Sequence, residues 1–136
     1  YGEERRSRVI AKNIIKVRPL DKISDLVEAI RVSTPPKNRK KSIARVFQAI
    51  RITVNDELKK LDEFLSFFYK NLNIGGIIAI ISFHSLEDRI VKHQFKKLEK
   101  ESVLKIITKK PITPSEKELN LNRRARSSKL RVAQRV

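Results

Sequence analysis

Cysteine, methionine and tryptophan are missing from this chain, and glycine occurs only three times. Without cysteine there are no disulfides, no thiol nucleophile and no cysteine-type zinc site. The glycines are Gly2, Gly75 and Gly76, so no glycine-rich strand–turn–helix loop is present to cradle a nucleotide. With two tyrosines and no tryptophan, an aromatic base-stacking platform is not expected. The two histidines, His84 and His93, have no metal-ligand spacing between them, and no metal is expected. No apolar run reaches transmembrane length and no signal peptide opens the chain, so a cytoplasmic protein without membrane contact is expected. The chain starts at Tyr1-Gly2-Glu3-Glu4-Arg5-Arg6 without an initiator methionine, as a fragment of a longer chain would.

What is abundant is positive charge. Lysine and arginine total 32 against 15 acidic residues, a net +17 over 136 residues. A field of that size draws in phosphate polyanions. The charge is uneven. Residues 1–45 hold 13 basic and 5 acidic side chains, 46–101 hold 9 and 8, and 102–136 hold 10 and 2. Two basic flanks enclose a nearly neutral middle.

Residues 3–17 read as a helix with Val9, Ile10, Ile14 and Val17 on one side, closed by Pro19. A second helix spans about Ser24 to Val32, and 33–41 form a basic, proline-containing loop. From Ile43 to Leu72 apolar residues step by three or four, which predicts one long helix of roughly eight turns with Ser42 as N-cap. Gly75-Gly76 ends it. Ile77 to Ile81 is a continuous apolar run, expected as a strand buried on both faces, as in a parallel sheet. Ser85-Leu86-Glu87-Asp88 has capping-box spacing with Asp88 in the acidic position, and a helix follows to about Lys100. Val103–Thr108 and Lys129–Ala133 are further strand candidates, separated by a short helical turn at Ser115–Leu119. The order suggests the last portion of a wound α/β sheet preceded by part of a helical domain.

In such a sheet, ligands sit beyond the carboxyl ends of the strands. Ser82, His84, Glu87 and Asp88 lie at one such end and are the candidate site. They combine a hydroxyl, an imidazole and two carboxylates beside a helix N-terminus, a set able to hold a base edge or an anion. The competing reading is architectural: these residues cap the helix and pair with arginines. Two basic clusters are candidate RNA contacts through phosphate: Lys37, Arg39, Lys40 and Lys41, and then Arg123, Arg124, Arg126, Lys129 and Arg131. Solvated surface is the alternative for both.

Residues 75–92, GGIIAIISFHSLEDRIVK, resemble a signature of the RsmH/MraW family, bacterial 16S ribosomal RNA cytosine-N4 methyltransferases. Four further blocks are similar to that family in the same order: Tyr1 to Arg5, Phe47 to Leu58, Ile112 to Glu116, and Arg124 to Ala133. Local departures occur at Ala44, Arg123 and Ser128, where the family often has Thr, Pro and Ala. The larger departure is length, because the family's N-terminal half carries the loop that binds the methyl donor.

The resemblance implies the C-terminal portion of a class I (Rossmann-like) methyltransferase sheet, preceded by the end of a helical insert domain. Residues 1–41 would close the insert and 42–136 would supply the last helices and strands of the catalytic domain. The implied cofactor is S-adenosylmethionine, bound by the half that is not here, so no cofactor-binding residue is assigned. The implied partner is small-subunit ribosomal RNA or the 30S subunit. Ser82, His84, Glu87 and Asp88 would border the target base. The reading from another class is a stand-alone basic rRNA-binding or ribosome-associated module without catalysis.

Overall fold

The computed structural model describes residues 2–136; Tyr1, the first residue of the first family-like block, lies outside them. The chain divides into two compact units, the first ending at Glu57 and the second being Leu58–Val136. This division falls later than the 41/42 boundary expected from the sequence.

The first unit is helical: α1 (Ser7–Lys16), α2 (Ile23–Val32), a 3-10 turn at Pro36–Asn38, and α3 (Arg39–Asn55). Ile10, Ala29, Ile30 and Ile52 are its buried apolar residues. Polar side chains close the carboxyl end of α2, where helical carbonyls lack partners. Ser33 Oγ and Thr34 Oγ1 donate to the carbonyls of Ala29 and Ile30 at 2.9 and 2.7 Å. Arg6 Nε donates to Ser33 O at 2.7 Å, and Asn13 Nδ2 to Ala29 O at 2.8 Å. Gly2 lies so close to α3 that a Cβ there would stand 2.1 Å from the Arg45 carbonyl oxygen.

The expected long helix is two helices. Asp56 has φ 55°, left-handed backbone, between α3 and α4 (Glu57–Phe67). Aspartate enters that region more readily than most residues, because its short polar side chain bonds locally. The apolar step from Val54 to Leu58 spans the break, so the spacing continues where the helix does not. Ser42 is not the cap: α3 starts at Arg39, and Ser42 is a buried residue inside it. Arg39, Lys40 and Lys41 therefore form the helix's first turn rather than a loop.

The second unit continues with a 3-10 turn at Phe68–Asn71, β1 (Ile77–Ser82), α5 (Ser85–Lys100), β2 (Leu104–Ile106), α6 (Glu116–Leu121), a 3-10 turn at Arg123–Ser127, and β3 (Lys129–Arg135). Gly75, at φ 82°, makes the turn into β1. The fold is mixed α/β, and its sheet has the order β1-β3-β2. Both pairings are antiparallel, with Ile78 opposite Ala133, Ile80 opposite Arg131 and Leu104 opposite Arg135. The parallel pairing expected for Ile77–Ile81 is thus absent from the described sheet.

Burial follows the pleat. Leu65, Phe68, Val91, Phe95, Leu98, Leu104 and Ala133 form the core, with Ile78 and Ile80 packed against it. Side chains alternate across a strand, so Ile77, Ala79 and Ile81 face the other way. Ile77 and Ile81 are 60% and 58% exposed. Expected burial on both faces is corrected to burial on one: α4 and α5 supply the residues that cover the Ile78 face. A run apolar at every position cannot say which face is covered. The edge of β1 away from β3 has no partner strand among the described residues. Among them, no helix is long and apolar enough to cross a membrane.

Candidate functional site

β1 delivers Ser82 to its carboxyl end and α5 begins three residues later. Ser82 is 2% exposed, and its Oγ has no hydrogen-bond partner in the structure. It follows Ile78 and Ile80 on the covered face. Phe83, which alternates to the other side, is 55% exposed.

The capping box is present one residue earlier than its expected position. His84 is the N-cap, with extended backbone at φ −140° and ψ 165°. Its Nδ1 accepts the Glu87 N–H at 3.3 Å. Glu87 Oε2 accepts the Phe83 and His84 N–H groups at 2.8 and 3.2 Å. An accepting Nδ1 is unprotonated, which leaves the ring proton on Nε2 in the neutral form. That nitrogen is buried without a hydrogen bond and lies 3.3 Å from Glu87 Oε1. The cap satisfies amide donors that a helix start otherwise leaves open. It also fixes the imidazole beside the strand end.

Asp88, expected in the box, points elsewhere. Its carboxylate takes Arg131 Nε at 2.7 Å and Arg131 Nη2 at 3.3 Å, with Lys129 Nζ at 3.4 Å. Asp88 and Arg131 are 8% and 7% exposed. Burial acts on the Asp88 carboxyl most strongly and pushes its pKa up. The bonds and charges of Arg131 and Lys129 together outweigh it and hold the pKa below the usual aspartate value. The pair ties the first turn of α5 to β3, which is the job of a positioning contact.

The site residues named from sequence thus divide. Ser82, His84 and Glu87 meet at the strand end, and Asp88 is bound to β3. Of the basic candidates, Lys37 is exposed on the Pro36–Asn38 turn, and Arg39, Lys40 and Lys41 occupy the start of α3. Arg123, Arg124 and Arg126 are exposed on the 123–127 turn. Lys129 and Arg131 are on β3 and engage Asp88 rather than standing free. That partnership joins residues 43 apart in the chain, and no local spacing announces it.

The whole chain, residues 1–136, matches the sequence pattern of the MraW methylase family. The chain belongs to that family. It is 54% identical to ribosomal RNA small subunit methyltransferase H of Trichormus variabilis, over 99% of this chain and 44% of the relative. Identity to the Nostoc punctiforme protein of the same name is 53%, over 100% and 46%. For Thermosipho africanus it is 51%, over 100% and 47%. The chain spans about half the length of these relatives. The MraW family implies S-adenosylmethionine as methyl donor, and the residues described here do not form its cradle. Gly75 and Gly76 are the described glycines beside a strand, and they stand at the amino end of β1. There the Gly75 N–H donates to the Arg135 carbonyl at 2.8 Å, and a Cβ on Gly76 would meet the Asn73 carbonyl oxygen at 2.7 Å. They turn the chain at the end of the strand opposite Ser82.

Proposed function

We propose that this chain is the C-terminal part of an S-adenosylmethionine-dependent methyltransferase acting on the N4 amine of a cytidine in small-subunit ribosomal RNA. The chain alone is inactive, because the donor is held by the other half of the enzyme. One observation carries this reading: the family-like run Ser82-Phe83-His84-Ser85 sits at the carboxyl end of a strand, with a buried hydroxyl and an imidazole fixed by a cap. Binding sites of wound α/β sheets lie at such ends. The fold class proposed is the last section of a class I sheet, to which β1 joins by its free edge and in which β3 runs antiparallel. Mixed sheets of this kind are common among doubly wound folds. Residues 1–41 close the helical insert, and α3 follows it in the first compact unit.

The reacting amine is a weak nucleophile, since its lone pair is delocalised into the ring. Such a site works by holding the amine in line and accepting hydrogen bonds from its protons. Ser82 and His84 border the base, Glu87 holds His84 in place, and Asp88 sets the angle of α5 through Arg131. The partner is small-subunit RNA or the 30S subunit, met in the cytoplasm. The start of α3 supports RNA contact. Arg39, Lys40 and Lys41 occupy a first turn with no acidic residue, where the helix dipole disfavours cations. A polyanion relieves that cost.

Small subunits lacking N4-methylcytidine, incubated with labelled donor, test the reading. The 136-residue chain is expected to bind the RNA and transfer no label, while a full-length enzyme carrying these residues transfers it. Label transfer by the isolated chain overturns the division of labour. Label-free RNA from the full-length enzyme favours the non-catalytic ribosome-binding module.

A further inference from the structure

A basic cavity with none of Ser82, His84 and Glu87 in its lining lies inside the Leu58–Val136 unit. A cavity of about 310 Å³ is lined by Lys92 and Lys96 of α5, Thr108 and Lys109 after β2, and Arg131 of β3. We propose that this cavity is a binding site for a phosphodiester of the RNA backbone. The proposal rests on the RNA-directed reading above and adds a location to it.

The cations arrive from three separate elements. Lys92 and Lys96 are four residues apart on one helix and therefore share a face. Lys109 comes from the segment that follows β2, and Arg131 from the middle of the sheet. Folding alone gains nothing by gathering like charges around one hollow, since they repel. Glu99 also lines the cavity, and its Oε1 accepts the Ile106 N–H at 3.0 Å. With Asp88 set against Arg131 and Glu99 against one lysine, two positive charges remain to be matched. That is a deficit a phosphodiester reduces.

Arg131 makes this more than a lysine-rich surface. It is 7% exposed, and Asp88 fixes its guanidinium through Nε and one terminal nitrogen. A guanidinium has five N–H donors in a rigid fork, so donors remain for a ligand in the cavity that Arg131 lines. Thr108 Oγ1 is committed to the Val132 N–H at 2.8 Å, which pins the segment carrying Lys109 against β3. The result is a preorganised fork with exposed ammonium groups around it, a donor set suited to phosphate.

The test uses the full chain with two charge-matched triple variants. K92Q/K96Q/K109Q removes the exposed lysines of the cavity and leaves the Arg131–Asp88 pair intact. K97Q/K100Q/K105Q removes the same charge from exposed positions outside it. Affinity for a fluorescent rRNA hairpin is measured across a salt series, with inorganic phosphate as competitor. The cavity variant is expected to lose about 2 to 3 from the log–log salt slope, near one per lost contact, and the control less than about 1. Equal losses in the two variants overturn the site while leaving RNA binding standing. Absence of salt-sensitive binding by the parent chain overturns the RNA-directed reading as well. Phosphate binding that the cavity variant alone loses, with hairpin affinity unchanged, overturns the RNA source in favour of a small phosphate ligand.

Discussion

Replacing Asp88 with asparagine keeps the shape of the side chain and removes its charge. The contact concerned is buried on both sides, with side chains 12% and 8% exposed, and the two N–O distances are 2.7 and 3.3 Å. Removing one member of such a pair strands the other charge, at a cost of about 3 to 5 kcal/mol. The asparagine oxygen can still accept from Nε, so the lower end, about 3 kcal/mol, is expected. For a unit of this size that lowers Tm by roughly 12 to 24 °C. Urea denaturation followed by circular dichroism at neutral pH measures the loss. The pH dependence gives an independent check. The Asp88 pKa is lowered in the folded chain, so its stabilisation is present above the unfolded carboxylate pKa. It is lost as pH falls through the folded value. The gap between parent and Asp88→Asn should therefore shrink below about pH 4. The double variant D88L/R131M should recover most of the loss, because no buried charge is left unmatched. A loss under about 1 kcal/mol, the range of exposed ion pairs, refutes the claim that this contact anchors α5.

Asp56→Val should destabilise by about 1 to 2 kcal/mol more than Asp56→Gly, since a branched side chain is strained at φ 55°; equal melting curves contradict the left-handed break. Replacing Arg123, Arg124 and Arg126 with alanine should weaken binding to all RNAs alike and flatten the salt slope by about one per contact, whereas a loss confined to one sequence means that they read bases. In a full-length enzyme, His84→Ala should lower turnover beyond what loss of a cap worth about 1 kcal/mol explains, with donor affinity unchanged. Wild-type turnover in that variant removes His84 from the site.

The sequence made the elements legible where period and punctuation agreed. α2, β1 and α5 lie within one residue of their expected bounds because prolines bracket α2, glycines precede β1 and a polar cap opens α5. It failed where two signals gave the same pattern. A step of four from Val54 to Leu58 reads the same through a straight helix and across a left-handed Asp56. An all-apolar strand reads the same with one face covered or two. In the candidate site, the strand end and its Ser82-Phe83-His84 run were visible as a motif, but the cap fell on His84 rather than Ser85. Both register choices place an acidic residue three positions on, Glu87 or Asp88, so spacing could not separate them. The Asp88–Arg131 contact depends on β3 returning beside β1, a long-range fact that no window of sequence holds.

The open face and free edge of β1 bear on how the isolated chain behaves in a test tube. A strand edge unpaired among the described residues, with exposed Ile77 and Ile81, is a template for self-association, and the mutual repulsion of molecules carrying +17 opposes it. Repulsion between molecules is screened over about 10 Å at 0.1 M salt and about 3 Å at 1 M, while apolar attraction survives. High salt, the usual means of stripping nucleic acid from a basic protein, would therefore clear the RNA and drive the chain out of solution. Arginine-to-lysine changes on the surface would leave that behaviour intact, whereas a lysine at position 77 or 81 should abolish it.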